Sequence, residues 1–73
     1  MINKPQNGDV LSQREREVLV LIASGKSSRQ IAEELGIAFK TAVVHRHNLH
    51  TKLKVHKATD LTRAAIRMGL IDP

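Results

Sequence analysis

Apolar positions along this chain recur at intervals of three and four and nowhere alternate over a useful length, so the pattern predicts helices and no sheet. Val18, Leu19 and Ile22 form the first stripe, with Glu15 before them and Ala23 after. Ser12 and Glu15 have capping-box spacing, so the first helix is placed at about 12–24, and Gly25 is set to close it. Ser27 and Gln30 offer a second box. The helix behind it, 28–35, turns Ile31, Ala32 and Leu35 inward and stops at Gly36. Ile37 then dips into the core before a third helix, about 39–53, where Ala42, His45, Leu49 and Leu53 share a narrow arc at about 100° per residue. The last helix, about 58–68, carries Leu61, Ala64, Ala65 and Met68 on one side. Gly69 ends it, and Leu70 and Ile71 are placed to fold back as an apolar lid. The expected architecture is all-α, a compact four-helix bundle.

Residues 1–10 are polar, contain Pro5 and Gly8, and read as a flexible tail or the stub of a linker ahead of one domain over 11–73. A lead-in of this kind favours a piece of a longer protein over a stand-alone one.

Composition narrows the function. Seventy-three residues support one small core of Leu, Ile, Val and Ala, too small for an enzyme cleft. No cysteine is present, which excludes disulfides and thiolate metal sites and fits a reducing, cytoplasmic setting. No apolar run approaches the roughly 18 residues of a membrane span. Phe39 is the only aromatic, so stacking platforms for single strands or RNA are not expected. No nucleophile–base pair, phosphate loop or cofactor motif is visible. His47, His50 and His56 are too few on one face to make a metal site attractive.

Charge changes the picture. Residues 1–25 and 58–73 are each balanced, whereas 26–57 holds seven Lys/Arg (Lys26, Arg29, Lys40, Arg46, Lys52, Lys54, Lys57) against Glu33 and Glu34, the chain's whole excess of +5. A basic excess confined to one segment marks a polyanion binder, most often of nucleic acid.

The same segment has helix-turn-helix spacing. Ala32 is small where two helices cross, and Gly36, four residues on, supplies a turn with positive φ that side chains resist. In such a pair the second helix enters the major groove and its N-terminal part meets base edges. With Ala42, His45, Leu49 and Leu53 inward, the base-edge candidates are Lys40, Val43, Val44 and His47. Lys40 and His47 can donate to guanine, and the valines can pack on thymine methyls. The phosphate candidates are Lys26, Ser27, Ser28 and Arg29 at the start of the second helix, with Thr41, Arg46, His50, Thr51, Lys52 and Lys54 on the third. Val43 and Val44, exposed by projection, need a partner to justify them.

Several runs then resemble one family. Leu11-Ser12-Gln13-Arg14-Glu15-Arg16-Glu17-Val18-Leu19, Ile22 through Ser27, Ile31 through Ile37, Thr41 through His45, Lys52 through Val55 and Gly69-Leu70-Ile71 look like the LuxR/GerE-type helix-turn-helix domain, at matching spacing over nearly the whole chain. The resemblance implies a four-helix, double-stranded-DNA-binding domain of a bacterial transcription factor, often the output domain of a response regulator. It implies that the third helix reads DNA and the fourth mediates dimerisation on repeated half-sites. RNA polymerase is a further candidate partner. No cofactor, enzyme activity or membrane association is implied.

Four positions depart from the family pattern. Ala38 stands where a Ser or Thr usually caps the third helix. Val43 stands where a lysine often touches DNA, which shifts the expected reading toward thymine methyls. Lys54 replaces a glycine in a left-handed cap, and Ala58 replaces an arginine at the start of the fourth helix. On that helix Thr62 and Ile66 form a modest patch for meeting a twin across a two-fold axis, so self-association is expected to be weak without DNA. Two other readings fit parts of the pattern. One is a protein-interaction module using this fold through Val43 and Val44. The other is a sigma-factor-like promoter-binding region, against which the fourth helix argues.

Overall fold

A computed structural model describes residues 11–73, and the reading of 1–10 as a tail lies outside them. Four helices follow in order: α1 Gln13–Ala23, α2 Ser28–Leu35, α3 Phe39–Leu53 and α4 Ala58–Arg67, with no strand among the described residues. The expected all-α bundle is therefore observed. α1 and α4 are shorter than the sequence pattern suggests because Ser12, Ser24 and Met68 are caps, not helical residues.

Both capping boxes form. The Ser12 hydroxyl accepts from the Glu15 amide at 3.0 Å while Glu15 Oε1 accepts from the Ser12 amide at 2.8 Å. Ser27 and Gln30 do the same at 3.1 and 2.8 Å. α3 starts at Ala38 with no side-chain cap bond, and α4 starts at Lys57 with none either. The four helices end alike. In each, an amide two or three residues past the helix reaches back five residues, as in Lys26 to Leu21, Ile37 to Ala32, Val55 to His50 and Leu70 to Ala65. The residue between is left-handed each time: Gly25, Gly36, Gly69 and, at the end of α3, Lys54 with φ +58°.

α4 packs mainly on α1 and α2 mainly on α3, and α1 also crosses α3, which joins the two pairs. The core between them holds Leu11, Val18, Leu19, Ile22, Ile31, Ala32, Ala42, Leu49, Leu61, Ala64 and Ala65. Met68 is a correction: its projection points inward, yet it is 42% exposed. It lies where α4 ends, and Leu70 and Ile71, folding back against the core, take the apolar position it was expected to fill.

Candidate nucleic-acid interface

α3 is oriented by its buried side. Ala42 and Leu49 are fully enclosed, with Leu53 packed against the core, so the opposite arc faces solvent. Lys40, Val43, Val44 and His47 all lie on that arc, together with Thr51. Val43 is 41% exposed and Val44 49%. A hydrophobic pair on an open helix face has an energetic cost unless something covers it. The arc is wide because the helix turns about 100° per residue and only one side is in contact with α1, α2 and α4.

The Gly36–Ala38 turn brings the start of α2 beside the start of α3. The capping box satisfies the amides of Ser27 and Gln30, leaving those of Ser28 and Arg29 with no acceptor among the described residues. Lys26 and Arg29 stand beside them. Lys26 Nζ also approaches Glu34 at 3.7 Å, an exposed pair of little energetic weight. The Arg29 guanidinium lies over the Phe39 ring, 4.9 Å from its centroid. Sequence reasoning did not assign Phe39 to the site. Its signal was a large aromatic at the first position of the exposed helix, with a cation ten residues upstream that only the helix crossing brings near.

Toward the C-terminal half of α3, His47, His50, Thr51, Val55 and His56 line an open depression of about 320 Å³. His50 Nδ1 lies 3.0 Å from the Val55 carbonyl, and since that oxygen only accepts, the ring donates from Nδ1. The Thr51 hydroxyl donates to the His47 carbonyl at 3.2 Å. No three potential metal ligands converge among the described residues. Arg46 and His50 are half-buried, and Thr41 and Lys54 are exposed.

Lys52 has a task that the charge count does not suggest. Its Nζ lies 2.9 Å from Glu15 Oε1, the same oxygen that caps α1. Glu15 is the one buried charged residue of the described chain, 5% exposed. Burial alone would raise its carboxyl. The Lys52 ammonium, with the Ser12 amide and hydroxyl, outweighs that and holds the carboxyl below its ordinary range. Part of the basic segment's charge therefore serves the fold. The α4 candidates Thr62 and Ile66 are half-buried, and the Thr62 hydroxyl donates to the Ala58 carbonyl at 3.3 Å.

A helix-turn-helix of this geometry on a four-helix scaffold has a direct counterpart among known families. Residues 9–65 match the family described as bacterial regulatory proteins, luxR family. The chain belongs to that family. This makes it a helix-turn-helix module of transcriptional regulation by DNA binding. The chain is 45% identical over 60 residues to the protein named Uncharacterized response regulatory protein YgeK of Escherichia coli (strain K12), a match covering 82% of this chain and 41% of that protein. It is 42% identical over 66 residues to the transcriptional regulatory protein MctR of Rhizobium johnstonii, covering 90% of this chain and 31% of that one. To the response regulator UvrY of Escherichia coli it is 37% identical over 60 residues, covering 82% of this chain and 28% of the other. The chain thus spans well under half the length of these relatives. No helix among the described residues is long and apolar enough to cross a membrane.

Proposed function

We propose that this chain binds double-stranded DNA sequence-specifically, as the output module of a bacterial response regulator acting in the cytoplasm. α3 lies in the major groove, and Lys40, Val43, Val44 and His47 meet base edges. Lys26, Ser27, Ser28, Arg29, Thr41, Arg46, His50, Thr51 and Lys54 contact the phosphates on either side. Lys52 contributes there only with what its bond to Glu15 leaves available. The observation that carries the reading is the exposed arc of α3, where two uncovered valines sit between cations beside the uncapped amides of α2. The names of the relatives, two response regulators and a transcriptional regulator, support the assignment to signal-dependent transcription. Two copies bind together through Thr62 and Ile66, weakly without DNA, and RNA polymerase is the further partner such a regulator addresses.

Competition between a duplex selected from a random pool and unselected duplex tests the reading. Strong preference for the selected duplex is expected, and replacing Val44 or His47 by alanine should change the preferred sequence. Equal competition by random duplex, with no effect of either replacement, points instead to a protein-interaction module that retains DNA only through charge.

A further inference from the structure

We infer that Phe39, held beneath the Arg29 guanidinium at the first position of α3, is a specificity-determining residue that packs on the 5-methyl group of a thymine. The inference rests on the DNA-binding reading above and adds to it a residue and a ligand group.

Phe39 is 47% exposed and takes no part in the core, so packing does not account for it. Nor does helix initiation, because the first helical position has no need of an aromatic ring. Phe39 and Val43 are four residues apart on one helix, so their side chains adjoin and extend the apolar strip to the N-terminal end of the exposed arc. That end is where a recognition helix approaches base edges most closely.

Arg29 supplies the second observation. Its guanidinium covers one face of the ring at 4.9 Å, and among the described residues it has no carboxylate partner. A cation on one face fixes the ring's orientation and leaves the remaining surface to solvent. The cation itself stays within reach of the phosphates that the start of α2 addresses. A phenyl ring neither donates to nor accepts from a base edge. In the major groove the feature complementary to it is the thymine methyl group, which no other unmodified base carries. The charge around it (Lys26, Arg29, Lys40) matches a polyanion and disfavours a purely apolar protein partner.

The test is a cycle between one side chain and one methyl group. The probe is the duplex selected from a synthetic random pool, made again with each thymine replaced in turn by deoxyuridine, with binding followed by fluorescence anisotropy. With the unaltered chain, at least one replacement should weaken binding about fourfold, the change expected for one buried methyl. With Phe39→Ala that same replacement should cost nothing, because the ring that read the methyl is gone. Phe39→Gln should behave as Phe39→Ala does and serves if the alanine variant folds poorly. The inference is overturned if deoxyuridine is tolerated at every position, or if it costs the same in the Phe39 variants as in the unaltered chain. In both cases the selected duplex still outcompetes random DNA, so the DNA-binding reading stands. Loss of all preference for the selected duplex removes that reading, and this inference with it.

Discussion

Glu15 does two jobs with one oxygen. Oε1 accepts the Ser12 amide that starts α1 and the Lys52 ammonium from the last turn of α3, so a helix cap becomes a clamp on α3. Lys52→Met leaves the carboxylate buried without its ion partner. The expected loss is about 3 kcal/mol, the lower end for a broken buried pair, because Lys52 keeps 31% of its side chain in water. Urea unfolding measures it, and Glu15→Gln added to Lys52→Met should recover part of the loss. The pH dependence follows from the lowered carboxyl. Its folded value lies below its unfolded one, so the unfolded chain takes up the proton first. The contribution is complete above the ordinary value of 4.5 and disappears as pH falls through the folded value. Unfolding curves at descending pH should therefore be flatter for Glu15→Gln in that acid window than for the unaltered chain. Glu15 was legible as a cap from its spacing to Ser12. Its partner was not, since Lys52 is 37 positions away and reads from composition as one more surface cation.

At the scale of elements, helix ends explain both what the sequence made readable and where this chain carries strain. Three helices close on glycine and α3 closes on Lys54 at φ +58°, where a Cβ meets backbone oxygen. Lys54→Gly should raise stability by about 1 kcal/mol and, by removing an exposed cation beside the arc, should lower affinity for all duplexes alike. A thermal melt and a binding titration on the same variant check the two opposite signs. The start of α3 is uncapped at Ala38. Ala38→Ser should add about 1 kcal/mol, read as a shift of several degrees in Tm. Caps, turns and stripes depend on residues within one turn of each other, which is why α2 and α3 were placed to the residue. The end of α4 was not, because Met68 follows the apolar period but the chain reverses there and Leu70 takes the core position.

The described residues form a small body, 39 × 26 × 19 Å, with the excess charge in the α2–α3 half and the balanced charge on α1 and α4. Binding should weaken linearly in log–log terms with salt, with a slope of about −0.9 for each phosphate contact neutralised. The loss of one unit of slope on replacing Arg29 or Lys26 by alanine, seen equally on specific and random duplex, marks each as a phosphate contact. The patch at Thr62 and Ile66 is small, so sedimentation should find single copies in solution and two per selected duplex. Ile66→Lys should leave single-copy binding intact and abolish the second step.

Helix positions, caps, the short turn and the segregated charge were available from residue order, because each is a property of neighbours along the chain or of a count. Which of the cations remain at the surface was not. That depended on how α1 crosses α3, which draws Lys52 onto Glu15, and on how α2 meets α3, which sets Arg29 over Phe39. Contacts between residues distant in sequence arise only when helices pack, and packing paired one half-buried cation with the buried Glu15 and stacked another on the ring at the entrance to α3.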